Sequence, residues 1–321
     1  MEFRGVDDDE LDDNFEIIEV GNGRYSSSFH ISKHYIGSII GKKGIMKNRI
    51  ERDTRTIIKI PRMGEAGNVT ILGPSISNVK AACRRINIIV ISSRKKQRCT
   101  HFLSIPLNDP HIMKSFESFK QQVLQECNNR GVEEAIFIEQ QKLHITIGVM
   151  CLMDQEERQQ VSKLLCNAKD SILMPLLKDH LPLRIKIKGL SYMNDDPKNI
   201  KILYGCVQDE HGMTQKLADA LVEYFSNAGF VEKGEYGRDN VKLHVTLMNS
   251  KFKYRSSEDE VDKRPTRRNI WETFDGSEIL NKFGDYDFGS AEVNVIHLSQ
   301  RKTVGADGYY QSTCVISLNK D

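Results

Sequence analysis

The spacing of apolar residues predicts a small unit of short strands and helices over residues 24–91. Polar and apolar residues alternate from Ser26 to Ile31, as in a strand, and apolar residues recur at helical spacing from Lys33 to Ile40. Ser75 is placed to cap a third helix. The predicted strands are 26–31, 56–60 and 69–72, and the predicted helices are 33–40, 45–55 and 76–89.

Longer apolar patterns follow and predict a larger domain of the α+β class over residues 99–321. The predicted strands are 100–107, 142–148, 183–190, 201–207 and 242–248, with two closing strands within 290–318. The predicted helices are 111–129, 213–228 and a long helix that presents Leu164, Leu165, Ile172 and Leu176 on one face. Residues 92–98, with the sequence SSRKKQR, are predicted to link the two domains.

Charge is distributed unevenly along the chain. Residues 1–20 contain nine acidic residues and one base, so we expect residues 1–23 to form a mobile acidic segment. Residues 30–98 contain sixteen Lys or Arg and three acidic residues, which favours a polyanionic partner. The alternative is a solvated basic face that the acidic segment balances. The basic linker extends a nucleic-acid surface, serves as a nuclear address or only connects the domains, and charge does not separate these interpretations.

Composition excludes several classes of protein. The 321 residues are 39% hydrophobic and 28% charged, which rules out a wholly disordered, collagenous or fibrous chain. The longest apolar stretch, 86–91, is far shorter than the roughly 20 residues of a membrane-spanning helix, so no membrane association is predicted. The acidic start predicts no secretory signal and a reducing compartment. Seven Cys with no CxxC pair argue against a disulfide framework and a zinc site.

The loop GKKG, residues 41–44, joins the first two predicted helices. Its glycines let the backbone approach a ligand closely, and the helix that follows presents unpaired N–H groups at its start. Lys42 and Lys43 add two cations. The loop therefore favours binding of a phosphate, whereas an ordinary glycine turn with an exposed basic rim is the alternative.

The sequence around this loop, YIGSIIGKKGIMKNRIERDTRTIIKIP, resembles the type I KH domain. The resemblance implies three helices on a three-stranded sheet, with a GxxG loop that clamps the backbone of about four unpaired nucleotides beside an apolar groove for the bases. By position, the clamp is Gly41, Lys42, Lys43 and Gly44. The residues predicted to line the groove or to lie in the core, with the core favoured, are Ile36, Ile39, Ile40 and Ile58.

Two predicted strands of the larger domain, KLHITI and KLHVTL, match at every position, identically or by an aliphatic exchange, and stand 100 residues apart. Their spacing indicates an internal duplication. Because side chains alternate along a strand, His144 and Thr146 share one face, as do His244 and Thr246. Two such strands brought together form a cleft lined by two imidazoles and two hydroxyls.

That set of groups suits displacement at phosphorus without a metal or another cofactor. An imidazole titrates near pH 6.5, so one of a pair can accept a proton while the other donates one. Threonine hydroxyls can donate to the phosphate oxygens. Neither histidine has a carboxylate or a third histidine at ligand spacing, which disfavours a metal site. In the alternative interpretation, both histidines are structural and bond to backbone carbonyl groups.

The paired HxT motifs resemble the two-histidine (2H) phosphoesterases, which process cyclic phosphates and oligonucleotide ends. The stretches THFLSIPLN, YMNDDP and FDGSEIL resemble the branch related to the nuclear-localisation domain of a kinase-anchoring protein. The resemblance implies a duplicated domain with two antiparallel sheet lobes flanked by helices. A KH domain followed by this branch resembles a family of coactivator-complex subunits. That family implies nuclear location, a complex that includes a helicase, and repair of alkylated DNA.

Two hypotheses of function follow. In the first, the KH domain delivers single-stranded RNA, or another single-stranded nucleic acid, to His144 and His244, which act as acid and base while Thr146 and Thr246 hold the phosphate. In the second, the chain is a non-catalytic RNA-binding adaptor within a protein complex. The charged segment at 251–268 is a candidate cover for the cleft in either case.

Overall fold

The computed structural model describes residues 15–62, 67–232, 240–254 and 272–319. Most of the acidic segment and the stretch 255–268 of the candidate cover lie outside the described residues. The chain forms two compact units. The first contains residues 1–100, 150–164 and 223–233, and the second contains residues 101–149, 165–222 and 234–321.

The N-terminal part of the first unit has three helices and an antiparallel sheet. The helices are α1 (Lys33–Ile40), α2 (Ile45–Thr54) and α3 (Ile76–Arg94), and the strands are β1 (Ile18–Glu19), β2 (Tyr25–Phe29), β3 (Ile57–Lys59) and β4 (Val69–Gly73). The sheet has the order β1-β2-β4-β3. The predicted fold is confirmed, and the short strand β1 is added at one edge.

Local sequence explains where these elements begin and what they bury. The Ser75 side chain accepts a hydrogen bond from the Asn78 N–H at 3.2 Å and so caps α3, as predicted. Ile39 and Ile58 are 0% and 2% exposed and belong to the core. Ile36 is half-buried at the margin of that core, which leaves part of its side chain accessible.

A buried ion pair ties downstream segments into the first unit. The Arg94 guanidinium, at the end of α3, donates to the Glu157 carboxylate at 2.6 Å, and both side chains are almost fully buried. Arg94 also donates to the Gly229 carbonyl at 2.5 Å and lies 4.4 Å over the Phe230 ring. The first unit is therefore completed by residues that lie far along the chain.

The remaining strands form one eight-stranded sheet. They are β5 (His101–Pro106), β6 (His144–Met150), β7 (Arg184–Tyr192), β8 (Ile202–Gln208), β9 (His244–Asn249), β10 (Asp287–Glu292), β11 (Val295–Val304) and β12 (Tyr310–Ser317). The helices are α4 (Pro110–Glu126), α5 (Gln155–Ala168), α6 (Met174–Leu177), α7 (Met213–Asn227) and α8 (Ser277–Phe283). No described helix has both the length and the apolar character that a membrane crossing requires.

The order of the sheet shows the duplication. It runs β10-β7-β8-β9-β6-β5-β11-β12, so that β10-β7-β8-β9 forms one lobe and β6-β5-β11-β12 the other. Each lobe contains a strand–helix–strand repeat, β5-α4-β6 in one and β8-α7-β9 in the other. The second strand of each repeat lies at the inner edge of its lobe. The two inner edges meet at β6 and β9, the strands that carry the HxT motifs.

The closing part of the chain has three strands where two are predicted. The additional strand, β10, contains Gly289, Ser290 and Ala291, which have low strand propensity. It is held by tertiary pairing, since Ala291 lies opposite Ile185 of β7. Residues 287–292 lack the alternation of apolar and polar side chains, and the sequence analysis therefore did not predict β10 as a separate strand.

The long helix predicted after β6 is interrupted. Residues Lys169–Leu173 form a π-helical turn between α5 and α6. A π turn contains more residues than an α turn and so rotates the following face. The buried positions after the turn are consequently Leu173 and Leu177, each one residue beyond the predicted Ile172 and Leu176.

Candidate functional site

The two HxT strands meet at a single backbone pairing in the middle of the sheet. Ile145 of β6 lies opposite Val245 of β9 in antiparallel orientation, and both side chains are buried. Because side chains alternate, the residues before and after each of them project from the opposite face. Those residues are half-buried, and they are His144, Thr146, His244 and Thr246. The structure thus brings all four predicted site residues together.

In this antiparallel pair, each histidine lies across from a threonine of the other strand. His144 lies across from Thr246, and Thr146 lies across from His244. In such a pair, directly opposed residues lie about 4.5–5.5 Å apart, and diagonal neighbours about 7–8 Å. Each imidazole therefore has a hydroxyl group opposite it. The two imidazoles lie on a diagonal of the pair.

Both imidazoles are held in the same way by their own strand. The His144 Nδ1 atom is 2.7 Å from the Lys142 carbonyl oxygen, and the His244 Nδ1 atom is 2.7 Å from the Lys242 carbonyl oxygen. A carbonyl oxygen can only accept, so Nδ1 of each ring carries the proton and donates it. In the neutral ring the lone pair is then on Nε2. A structural histidine, as in the alternative interpretation, would make the same bond to a backbone carbonyl. In either interpretation, this bond leaves Nε2 available.

Aromatic side chains enclose the His144 ring. Its centre is 5.1 Å from the Phe102 ring and 5.5 Å from the Tyr310 ring. Burial lowers the pKa of His144 to about 4, the hydrogen bond to the Lys142 carbonyl opposes this shift, and the positive charge of His244 adds to it. His144 is therefore neutral at pH 7.

An aromatic ring also lies beside the His244 ring. The Tyr204 ring lies 5.3 Å from it, and the Lys242 ammonium lies 4.6 Å over the Tyr204 ring. The Tyr204 hydroxyl donates to Ser191 at 3.0 Å. The sequence did not indicate the aromatic neighbours of the two histidines, because nothing in the pattern of β5, β8 or β12 relates their faces to the HxT strands.

The β11–β12 hairpin is fixed beside His144 by buried hydroxyl groups. Tyr309 is buried and shares a hydrogen bond of 2.9 Å with Ser104, which in turn lies 3.1 Å from Ser299. Burial raises the pKa of Tyr309 far above its usual range, so its hydroxyl stays protonated. This network positions the neighbouring Tyr310 against the imidazole.

Metal ligands do not gather at the HxT strands in the described part of the chain. The one group of three such side chains found there is in the first unit, where His30, Asp154 and Glu156 have ligand atoms within 4.8 Å of one another. His30 and Asp154 already pair at 2.9 Å. The imidazoles and hydroxyls of the HxT strands are groups that transfer protons and form hydrogen bonds.

The GKKG loop has the backbone geometry that its glycines allow. Gly41 has φ +68° and Gly44 has φ +78°, both in the left-handed region that favours glycine. A Cβ atom on Gly41 would come within 2.7 Å of the Met46 Cβ, whereas one on Gly44 would meet open space. Gly41 therefore closes the turn against α2, and Gly44 marks an open surface.

The loop presents donors and cations together. Gly44 precedes the first turn of α2, and among the described residues no side chain caps that turn or places an acid in it. Lys42 and Lys43 are exposed. Ile45, which directly follows the loop, is 64% exposed, so an apolar side chain adjoins the two cations. Phosphate and base are the two parts of a nucleotide that such surfaces accept.

Two family models match the chain. A family model described as the AKAP7 2′5′ RNA ligase-like domain matches residues 99–318, and a KH domain model matches residues 26–88. Activating signal cointegrator 1 complex subunit 1 of Mus musculus is 36% identical over 291 residues, which cover 85% of this chain and 78% of that protein.

Two further similarities are more distant. An uncharacterized protein of Schizosaccharomyces pombe is 24% identical over 223 residues, which cover 68% of this chain and 95% of that protein. A Thermus thermophilus protein of known crystal structure is 15% identical with a TM-score of 0.41, over 68% of this chain and 97% of that one.

Fold, motifs and comparisons define a class of protein in which a KH domain precedes an AKAP7 2′5′ RNA ligase-like domain of the two-histidine type. The chain belongs to the family of activating signal cointegrator 1 complex subunit 1. The resemblance drawn from the sequence is thereby confirmed.

Proposed function

We propose that this protein is an RNA-binding phosphodiesterase that cleaves a phosphodiester or a cyclic phosphate by general acid–base catalysis. His144 and His244 transfer the protons, and Thr146 and Thr246 hold the phosphate. One observation carries the proposal: both imidazoles make the same Nδ1–H bond to a carbonyl two residues earlier, which leaves Nε2 of each ring available to a substrate.

The chemistry balances without a metal. For a 2′,3′-cyclic phosphate, one neutral imidazole takes a proton from water as its oxygen attacks phosphorus, and the other imidazole, protonated, gives a proton to the departing ribose oxygen. The threonine hydroxyls donate to the two non-bridging oxygens, and the second ribose oxygen stays bonded to phosphorus. We assign the base to His144 because burial keeps it neutral at pH 7. His244 is then the acid.

Each part of the chain has a proposed role. We propose that residues 24–91 bind single-stranded RNA through Gly41, Lys42, Lys43 and Gly44 and that residues 99–321 carry the reaction. Residues 92–98 connect them, although their first part, through Arg94, belongs to α3. The exposed lysines, the uncapped start of α2 and the KH family match support this assignment.

A test uses the purified chain and single-stranded RNA that ends in a 2′,3′-cyclic phosphate. We expect turnover that EDTA leaves unchanged. His144→Asn and His244→Asn keep a side-chain donor for the carbonyl bond but remove Nε2, and each should lower kcat/KM by about 10²- to 10⁴-fold. His180→Asn changes an exposed histidine elsewhere and serves as the control. Equal turnover by wild type and the double HxT variant would refute the proposal.

The name of the mouse relative, a complex subunit, favours a second candidate function. In it, the chain is a nuclear, non-catalytic adaptor that holds RNA within an activating signal cointegrator complex of transcription and DNA-alkylation repair, with a helicase among its protein partners. The assay separates the two candidates. An adaptor binds RNA with wild-type and HxT variants alike, and none of them turns the substrate over.

A further inference from the structure

Three side chains that can bind a metal ion meet in the first unit. His30 follows β2, Asp154 immediately precedes α5, and Glu156 lies in the first turn of α5. Their ligand atoms, one ring nitrogen and two carboxylate oxygens, all lie within 4.8 Å of one another. His30 and Asp154 are 124 residues apart in the sequence, so the cluster joins two distant segments of the unit.

The spacing of these atoms suits a single zinc ion. Zinc binds a histidine nitrogen or a carboxylate oxygen at about 2.0–2.2 Å, so two of its tetrahedral ligands are about 3.4 Å apart. The His30 Nε2 atom is 2.9 Å from the Asp154 Oδ2 atom. His30 and Glu156 are exposed, and rotation of their side chains is enough to bring the three ligand atoms to the spacing that zinc requires.

The fold already orients one of the two carboxylates. The Asp154 Oδ1 atom accepts the Glu157 N–H at 3.0 Å, while Oδ2 faces His30. Burial alone would raise the pKa of Asp154, but hydrogen bonds, the one from the Glu157 N–H first among them, lower it. The side chain is therefore an ionised ligand at pH 7. Ligands of metal ions are ordinarily held in this way by a further hydrogen bond.

An ion pair between His30 and Asp154 does not account for the whole cluster. It leaves the Glu156 carboxylate as a second negative charge beside one imidazole. Ser32 is 1% exposed and lies near enough to Asp154 to lower its pKa, yet among the described residues its hydroxyl makes no hydrogen bond of ordinary geometry. Buried hydroxyl groups nearly always have a partner. A cation balances the second carboxylate, and a water molecule bound to that cation can accept the Ser32 proton.

The kinds of ligand distinguish between cations. Mg²⁺ and Ca²⁺ prefer oxygen ligands alone, whereas an imidazole with carboxylates suits zinc. We propose that His30, Asp154 and Glu156 bind one zinc ion, with water as the fourth ligand, and that this ion ties the start of α5 to the end of β2. The site is independent of the proposed phosphodiesterase reaction, because the HxT residues belong to the second unit.

Titration of the full chain with zinc chloride tests the site. The protein is treated with EDTA and dialysed, and isothermal titration calorimetry then measures zinc binding. Glu156→Gln removes one carboxylate and leaves the His30–Asp154 pair in place. We expect this variant and His30→Asn to bind zinc at least about tenfold more weakly than the wild type. The control is Glu19→Gln, because Glu19 is also exposed but lies opposite Tyr25, at the other end of β2.

Thermal unfolding gives a second measurement. A ligand that binds only the folded state raises Tm as its concentration exceeds Kd. Zinc should therefore raise the Tm of the wild type and of Glu19→Gln, and should raise that of Glu156→Gln far less. Magnesium at the same concentration should leave all three unchanged.

Three results would overturn the site. If Glu156→Gln and Glu19→Gln bind zinc equally tightly, the ion is held elsewhere, for which the exposed His180 and His211, with rings 5.6 Å apart, are the next residues to change. If the wild type binds zinc only at millimolar concentrations, the contact is adventitious. If magnesium raises the Tm of the wild type as much as zinc does, the imidazole is not a ligand.

Discussion

The GKKG loop and the HxT pair show two ways to build a site for phosphate. The loop is four consecutive residues, exposed, with two glycines at positive φ and an uncapped helix behind them. The HxT site joins residues 100 positions apart, half-buried and enclosed by aromatic rings. The first keeps its charges hydrated, as binding of a mobile chain requires. The second shields a neutral imidazole from water, as proton transfer requires.

The largest effect should come from loss of the buried Arg94–Glu157 ion pair. Unlike the GKKG loop, this contact joins segments that are far apart in the sequence. Glu157→Gln leaves the Arg94 guanidinium buried without a charged partner, so the free energy of unfolding should fall by about 3–5 kcal/mol. Glu292→Gln is the matched control, since Arg184 and Glu292 pair at 3.0 Å in an exposed position and contribute about 0–1 kcal/mol. Urea denaturation measures both variants. If both variants lost the same small free energy of unfolding, the long-range ion pair would not stabilise the first unit more than an exposed pair does.

A smaller effect should separate charge from conformation in the GKKG loop. At Gly44 a side chain meets open space, so the strain at positive φ is the structural cost of substitution. Asn tolerates this conformation and has the shape of Asp. We expect Gly44→Asp to weaken RNA binding by about tenfold relative to Gly44→Asn, because the new carboxylate repels phosphate. Fluorescence anisotropy measures the ratio. Equal affinities would mean that no phosphate lies against Gly44.

The two sites also differ in how far the sequence predicts them. Helix α1 has the predicted bounds Lys33–Ile40, and the loop that follows is visible in consecutive letters, because short-range sterics and capping determine both. The HxT residues were predicted from a repeat, which indicates equivalence but not contact. Their contact depends on the order of eight strands. Sequence periodicity does not contain that order, and the neighbouring Phe102, Tyr204 and Tyr310 were missed for the same reason.

Positions that tertiary pairing alone determines were predicted least well. Strand β10 has small residues and a glycine, and it exists because β7 offers an unpaired edge. The π turn at Lys169–Leu173 shifts a buried face by one residue, although the helix itself was predicted. In both cases the local pattern is compatible with the structure but does not select it.

The smallest effect concerns the protonation of His144. Its pKa of about 4 lies below the ordinary value of 6.5, so between these pH values the unfolded chain binds a proton that the folded chain does not. The stability that the neutral imidazole provides is complete above pH 6.5 and is lost as the pH falls toward 4. His144→Asn should reduce this pH dependence in urea denaturation at pH 7 and pH 5.

In His244→Asn the pKa of His144 should rise slightly, since the opposing charge is gone, and an NMR titration of the ring carbons measures it. If His144 titrated at pH 6.5 in the wild type, its ring would not be shielded from water. The HxT site and the GKKG loop would then not differ in hydration.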